Sequence, residues 1–158
     1  MDLQDIKTPG LSCDLHDNPD IKERELALSH KILMSVEKPA RYIGGESGSV
    51  IKDKEKVSVR FAFCFPDSYD IGMAHLGMKI LYSLTNQREA YWCERVFAPG
   101  IDFEEIMRRE NIPLYALESL DPVKDFDFIG FTMQYELSYT NVLNMLDLAG
   151  LPVFAKDR

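Results

Sequence analysis

Runs of apolar residues, each followed by a polar turn and an amphipathic segment, divide the chain into strand and helix units. The run at 59–65, VRFAFCF, is apolar apart from Arg60 and predicts a strand that is covered on both faces. Pro66 and Asp67 end this strand, and the apolar residues of segment 73–88 recur at helical spacing. In open α/β sheets, ligands bind outside the carboxyl ends of the strands. The turn PDSYDIG therefore lies where a site is expected.

The same alternation continues toward the C-terminus. Two further strands and two further helices are predicted, the strands at 91–97 and 127–133 and the helices at 102–110 and 137–149. Asp102 is the predicted cap of the first of these helices. Two shorter apolar runs, 112–117 and 151–155, are interpreted as an edge strand and the start of another strand.

This alternation predicts an α/β fold of the flavodoxin-like type, an open parallel sheet with flanking helices. In that topology the strand at 59–65 is central, between 91–97 and 127–133. The pattern is still running at Arg158, so we interpret the sheet as incomplete at the C-terminus. Because an incomplete sheet leaves strand edges unpaired, we expect self-association or an edge covered by a helix at 20–36.

The N-terminal region is predicted to be separate from this domain. Residues 1–38 are interpreted as a polar arm followed by the helix at 20–36, and residues 39–158 as the α/β domain. The stretch ARYIGGESGSV is glycine-rich but contains neither GK[ST] nor GxGxxG. A connecting loop is favoured over a phosphate-binding loop.

Charge and cysteine content narrow the function classes. The net charge of −8 argues against a nucleic-acid surface, because phosphate binding requires clustered Lys and Arg. No apolar run approaches the ~20 residues of a membrane span. The three cysteines, Cys13, Cys64 and Cys93, are widely spaced, which suggests a reducing compartment. We therefore expect a cytoplasmic protein that binds neither nucleic acid nor membrane, with Cys64 buried and inert.

Polar clusters at the ends of the predicted strands are the candidates for chemistry. If the strands are parallel, four carboxylates become neighbours at one edge: Asp67, Asp70, Glu118 and Glu136. Such a group could bind a divalent cation in a metal-dependent hydrolase. Alternatively, Asp67 and Asp70 cap the following helix and no metal is bound.

The turn also resembles a known site. Cobalamin-binding domains carry DxHxxG after their first strand, and this chain has DSYDIG at the same place, with Tyr69 at the histidine position. Those domains also carry SxL at the end of the third strand, where Thr132 and Gln134 stand here. The resemblance implies a cofactor site with these members: Asp67, Ser68, Tyr69, Gly72, Thr132 and Gln134.

Longer motifs resemble the N-terminal region of a family of radical S-adenosylmethionine (radical SAM) proteins. They are VEKPARYIGGE, FPDSYDIGMAHLG, ERVFAP, LESL and GFTMQYELSYTNVLNMLDLAG, and they extend over 36–158. The resemblance implies a cobalamin-binding-like domain that precedes a radical domain, with iron–sulfur cluster and S-adenosylmethionine held by that domain. Because CxxxCxxC does not occur, the chain is interpreted as a fragment without the radical domain. The implied function is an accessory one, with the radical domain as partner and a homo-oligomer as a further possibility.

The departures from the cobalamin pattern set the expectation for the cofactor. The phenol of Tyr69, with an ordinary pKa of ~10, is no replacement for an axial histidine. The third signature of these domains, a GG after the next strand, would fall beyond Arg158. We therefore expect weak cobalamin binding or none. The alternative within the family is a degenerate domain that serves for packing or recognition without a cofactor.

Overall fold

Three parallel strands form the centre of the structure, a computed structural model that describes residues 30–157. The strands are β1 (Val59–Phe65), β2 (Tyr91–Phe97) and β3 (Phe128–Phe131), in the order β2-β1-β3. All seven residues of β1 pair with β2, and Phe61 to Cys64 pair with β3. The α/β fold with a flavodoxin-like strand order is confirmed, and β3 is shorter than the predicted 127–133.

Five α-helices and five short 3-10 turns accompany the strands in the described part of the chain. The helices are α1 (His30–Leu33), α2 (Tyr69–Ala74), α3 (Leu76–Asn86), α4 (Ile101–Glu110) and α5 (Tyr139–Leu148). The 3-10 turns are Pro39–Arg41, Lys54–Lys56, Val123–Asp125, Glu136–Ser138 and Ala155–Asp157.

The helix predicted at 73–88 is two helices, and this prediction is wrong in both its start and its continuity. Helix α2 begins inside the polar turn at Tyr69, and a break at His75 separates it from α3. The His75 amide donates to the carbonyl of Gly72, while its ring Nδ1 accepts a hydrogen bond from the Met78 amide at 3.2 Å. His75 therefore ends one helix and caps the next.

Two other helix predictions are correct in place and different in detail. Helix α4 is capped by Gly100 and not by Asp102, whose Oδ2 accepts a hydrogen bond from the Glu37 amide at 2.8 Å. Asp102 therefore holds the N-terminal segment against the start of α4. The helix predicted at 137–149 begins at Tyr139, after the turn Glu136–Ser138, and ends at Leu148.

The predicted strands at 112–117 and 151–155 are both wrong. Leu114 to Leu117 are buried and follow the outer edge of β2, where the Leu117 amide donates to the carbonyl of Arg95. The next ladder position is taken by a side chain, since the Arg95 amide donates to Glu118 Oε2 at 2.7 Å. A carboxylate thus replaces a strand carbonyl. Residues 151–155 contain no strand.

The N-terminal helix can be followed only from His30, because residues 20–29 of the predicted 20–36 lie outside the described part. Helix α1 ends at Leu33, where Ser35 turns back and its amide and hydroxyl both donate to the carbonyl of Ile32. Val36 is buried in the core. Among the described residues, β3 pairs only with β1, and self-association stays a prediction.

The core fills both faces of the sheet. Ala62 to Phe65 of β1 are buried, and Cys64 and Cys93 are free thiols without solvent exposure. Burial raises the pKa of both thiols, that of Cys93 to about 12, which keeps them protonated. The prediction that Cys64 is buried is confirmed, and that it is inert stays a prediction. No helix within 30–157 is long and apolar enough to cross a bilayer.

Candidate functional site

The turn after β1 is fastened to the end of β2 by backbone hydrogen bonds. The Asp67 carbonyl accepts from the Ala98 amide at 3.1 Å, and Asp67 Oδ1 accepts from the Ser68 amide at 2.7 Å. Ser68 is the N-cap of α2, although its side chain makes no capping hydrogen bond. Asp67 therefore orders the turn and does not cap the helix.

Tyr69 lies on the β2 flank of this turn. Its half-buried ring meets Phe97 edge-on, with 5.4 Å between ring centroids. The phenol lies beside Glu46. Burial raises the pKa of Tyr69 most, and the neighbouring carboxylate of Glu46 raises it further. The phenol is therefore protonated at neutral pH and its ring belongs to the packing at the end of β2.

Gly72 allows α2 to approach the sheet closely. A Cβ at this buried position would lie 2.3 Å from Cε1 of Phe97 and 3.1 Å from Cδ1 of Phe65. Only glycine fits without a shift of these rings. The glycine of the DSYDIG turn thus has a packing role in this fold.

Asp70 faces away from the end of the sheet and binds the N-terminal segment. It is an exposed residue in the first turn of α2 and forms ion pairs with Arg41 and, at 3.8 Å, with Lys38. These contacts hold the turn Pro39–Arg41 against α2. The carboxylate also interacts favourably with the helix N-terminus.

Arg95, in the middle of β2, organises a buried polar cluster. Its Nε donates to Glu118 Oε1 at 2.6 Å, and its Nη2 donates to Ser49 Oγ at 2.8 Å and to Glu46 Oε2 at 3.2 Å. The guanidinium also lies over the Tyr82 ring, 4.6 Å from its centroid. We call these five residues the Arg95 cluster. Burial raises the pKa of Glu118, and Arg95 opposes the shift.

A second buried cluster lies on the neighbouring positions of β1 and β2. Glu94 is fully buried, and its Oε1 accepts from Arg60 Nη2 at 2.5 Å while its Oε2 accepts from the Ser119 amide at 3.0 Å. Asp121 forms ion pairs with Arg60 at 2.9 Å and with Lys54 at 2.5 Å. Burial raises the pKa of Glu94.

Neither cluster was among the predicted sites. The sequence does carry their signal, because Arg60 interrupts an apolar strand and Glu94 and Arg95 interrupt YWCERVF. Charged side chains within a doubly covered strand require buried partners. Three motifs supply these partners, since Glu46 belongs to YIGGE, Arg95 to ERVFAP and Glu118 to LESL.

The four predicted carboxylates do not form one group. Glu118 binds Arg95, Asp70 binds Arg41, Asp67 binds its neighbouring amide, and Glu136 is exposed in a 3-10 turn. Within residues 30–157 no set of three or more His, Cys, Asp or Glu side chains is placed to hold a metal ion. The expectation of a shared carboxylate site is therefore wrong.

Thr132 and Gln134 lie on the opposite flank of the turn from Tyr69. The Thr132 amide donates to the carbonyl of Cys64 at 3.1 Å and extends the β3 ladder, whereas Gln134 is exposed. Thr132 Oγ1 is buried and finds no hydrogen-bond partner among the described residues. Because β1 separates β3 from β2, the structure does not bring Thr132 and Tyr69 together.

These positions do not fit a cobalt-ligand site. Tyr69 is packed against Phe97, Gly72 is covered by the same ring, and the cavity beside Tyr69 and Phe97 measures about 30 Å³. That volume holds one or two water molecules and no part of a corrin ring. On the β3 flank of this edge, Thr132 Oγ1 is an orphaned polar atom that a cofactor side chain could use.

The chain that leaves β3 presents large apolar side chains to solvent. We call four of them the apolar lip: Met133, Tyr135, Leu137 and Tyr139, which are 41%, 47%, 78% and 62% exposed. The start of α5 behind them is held at the end of β1, because Asn141 Nδ2 donates to the carbonyl of Pro66 at 2.8 Å. The apolar lip is thus an exposed surface beside the carboxyl edge of the sheet.

Comparison with known proteins identifies a family. Residues 77–158, more than half of the chain, match the family described as "Radical SAM proteins, N-terminal". No curated protein and no solved structure matches the chain. The matched range includes β2, β3, the apolar lip and three members of the Arg95 cluster, Tyr82, Arg95 and Glu118. The chain therefore belongs to the family of radical SAM proteins, as an N-terminal region.

Proposed function

We propose that this chain is an accessory module that docks on the radical domain of a radical SAM protein and performs no chemistry of its own. The observation that carries the proposal is the apolar lip, where four large apolar side chains are exposed within seven residues. Exposed large apolar side chains that form a patch are typical of surfaces that meet a partner.

The composition of the lip supports an interface. Tyr135 and Tyr139 combine a large apolar ring with a polar tip, which is the type of side chain enriched at protein interfaces. Full burial of Met133 or Leu137 contributes about 1.5–3 kcal/mol per side chain. The lip belongs to the segment GFTMQYELSYTNVL, which lies within the family match.

The turn after β1 supports an accessory function without a cofactor ligand. Tyr69 and Gly72 contact the inside of the fold, so the residues that correspond to a cobalamin signature here join α2 to β2. The cluster-binding pattern CxxxCxxC does not occur in the sequence. Cluster chemistry is assigned to the partner domain.

Hydrogen exchange tests the docking. Amide exchange is measured for the isolated chain and for a polypeptide in which the same chain precedes a radical domain. We expect slower exchange of residues 133–139 in the longer polypeptide, with little change in residues 108–110 at the end of α4. Equal exchange of the lip in both would contradict the proposal.

A pair of variants adds a matched control. Leu137 and Leu84 are both exposed leucines, but only Leu137 belongs to the lip. Leu137→Asp is expected to abolish the protection of the lip in the longer polypeptide, whereas Leu84→Asp leaves it unchanged. If both variants act alike, the effect comes from general surface polarity and the lip is not the docking surface.

A second candidate function is supported by Thr132 alone. Its buried and unpartnered hydroxyl lies at the edge where parallel sheets bind ligands, and it could donate to the nucleotide tail of cobalamin. Hydroxocobalamin is titrated into the chain and into Thr132→Val, with binding followed by calorimetry. This candidate predicts binding that weakens in the variant. Equal heats in both, or no binding, would reject it.

A further inference from the structure

A cleft of about 450 Å³ lies beside the Arg95 cluster, and Gly72, the last residue of the DSYDIG turn, also lines it. One wall is the loop at Ser47 to Val50, the other is helix α3, and Arg95 of β2 closes the floor. Its volume is in the range of small-molecule sites, which is about 300–1,000 Å³. No residue of the apolar lip lines it.

The inner part of the cleft is apolar and adaptable. Val50, Met73, Met78 and the ring of Tyr82 line it. Methionine side chains adjust to irregular shapes and make favourable contacts between sulfur and aromatic rings. These walls therefore suit a flat aromatic group.

Two cationic side chains line the cleft, Arg95 and Lys79. The charge of Arg95 is already paired with Glu118 and Glu46. Lys79, which is exposed at the cleft, forms no ion pair with any residue in 30–157. The hydroxyl group of Ser83 lies on the same side of the cleft as Lys79. A ligand that reaches this mouth meets a cation and a hydroxyl.

We propose that this cleft binds a small aromatic monoanion, with its ring between Met73 and Met78 and its acidic group at Lys79. The two halves of the site explain the class of ligand, since apolar walls exclude a purely polar anion and Lys79 favours a negative charge. The inference does not rest on the docking of the radical domain, because the cleft and the apolar lip share no residue.

The single tryptophan provides a reporter. Trp92 Nε1 donates to the carbonyl of Val50, a cleft residue, at 2.9 Å. Because Trp92 is the only tryptophan in the chain, its indole N–H gives one resonance in a spectrum of the ¹⁵N-labelled protein. Displacement of Val50 by a ligand is expected to shift that resonance.

The experiment titrates three probes into the labelled chain: 4-ethylbenzoate, the uncharged 4-ethylbenzyl alcohol, and acetate. We expect a saturable shift of the indole resonance with 4-ethylbenzoate below about 5 mM, weaker binding of the alcohol, and no shift with acetate. Absence of a saturable shift with 4-ethylbenzoate, or equal binding of the alcohol, would overturn the proposal.

Exposed positions allow variants that keep the fold. Lys79→Gln is expected to weaken 4-ethylbenzoate by up to about fivefold, as for a partly exposed charge pair, and Ser83→Phe to block the cleft. Lys124→Gln, at an exposed lysine away from the cleft, is the matched control and leaves binding unchanged. The amide spectrum of each variant reports its folding. Unchanged binding in both Lys79→Gln and Ser83→Phe would place the ligand elsewhere and reject the site.

Discussion

The two flanks of the sheet's carboxyl edge differ in how their polar and apolar groups are used. On the β2 flank, Tyr69 and Gly72 are packed against Phe97, and nearby Arg95 has partners for its charge. On the β3 flank, the hydroxyl of Thr132 has no partner among the described residues, and the apolar lip is exposed. The difference shows that polar groups on one flank are satisfied within the domain, and it supports the proposal that the other flank meets a partner.

The β2 flank, which we call the closed flank, is also where distant segments of the chain meet; the β3 flank is the open flank. Glu46, Arg95 and Glu118 come from three separate segments, and both carboxylates bind the guanidinium of Arg95. Residues that are widely spaced in the sequence thereby fix the loop at 44–49 and the segment after residue 114 against β2. This arrangement makes the β2 flank sensitive to substitution, while substitutions on the β3 flank are expected to leave stability nearly unchanged.

The largest effect is expected from breaking the buried ion pair of the closed flank. Glu118→Ala leaves the charge of Arg95 buried without its main partner, and we expect a loss of about 3–5 kcal/mol in the free energy of unfolding. Urea denaturation measures it. Asp147→Ala, which removes an exposed partner of Arg108, is the control and is expected to cost less than about 1 kcal/mol. Equal losses of stability in Glu118→Ala and Asp147→Ala would show that the buried ion pair contributes no more than the exposed one.

Replacement of both members of that pair sharpens the same point. In Arg95→Met/Glu118→Leu no buried charge is left from the pair, so the double variant is expected to recover much of the stability lost in Glu118→Ala. Urea denaturation of the three proteins gives the comparison. If the double variant is less stable than the single one, the hydrogen bonds of Arg95 to Glu46 and Ser49 dominate the cluster.

Substitutions at two adjacent glycines distinguish the cost of steric overlap from the cost of backbone strain. Both have positive φ, +65° for Gly44 and +80° for Gly45, but only at Gly44 would a Cβ meet another group, the carbonyl oxygen of Leu117, at 2.2 Å. Gly44→Ala is expected to destabilise by about 1–3 kcal/mol more than Gly45→Ala, because of this overlap. Thermal or urea unfolding measures both. Equal losses would show that the loop moves away from Leu117 without cost.

A smaller effect of the opposite sign is expected on the open flank. Thr132→Val removes a buried hydroxyl that makes no hydrogen bond within the described residues, and we expect a gain of roughly 0.5–1 kcal/mol in unfolding free energy. Thr85→Val is the control. Thr85 Oγ1 donates to the carbonyl of Leu81 at 2.8 Å, and the loss of this hydrogen bond is expected to be destabilising. Destabilisation by Thr132→Val would mean that this hydroxyl has a partner.

The smallest expected effect is a dependence on pH. Burial raises the pKa of Glu118 above the ordinary value of ~4.3, so the folded state holds this proton more tightly than the unfolded state. The stability from this group is complete below the ordinary pKa and is lost as pH rises through the raised one. The unfolding free energy of the native sequence minus that of Glu118→Gln should therefore fall as the pH rises above the ordinary pKa. A rise of this difference with pH would contradict this direction.

The parts of the fold that could be predicted are those set by local pattern. The apolar runs located β1 and β2 to the residue, and their order followed from the alternation of strands and helices. Residues 112–117 were wrongly predicted to form an edge strand. Beside β2, a carboxylate oxygen of Glu118 takes the place of a strand carbonyl, and the hydrophobic pattern of the sequence gives no sign of this. The break between α2 and α3 was missed because His75 caps α3 with a ring nitrogen, an unusual capping group.

The site could be predicted only in part, for a related reason. The positions of Tyr69 and Thr132 at strand ends followed from the strand pattern, but the flank each occupies depends on Phe97 and on the strand order. The charged residues inside β1 and β2 indicated that buried partners exist, but the sequence did not identify these partners. Glu46 and Glu118 are distant in sequence from Arg95, so only the folded chain brings them together.

We propose that the DSYDIG turn joins α2 to β2 and presents no cofactor ligand. A histidine placed where cobalamin domains have one tests this proposal. The chain and its Tyr69→His variant are titrated with hydroxocobalamin, and the visible spectrum is followed for coordination of cobalt by a protein nitrogen. We predict no such spectral change in either protein, because position 69 is packed between Phe97 and Glu46. A stoichiometric histidine-ligated complex of Tyr69→His would show that the turn faces the cofactor, and would contradict the account.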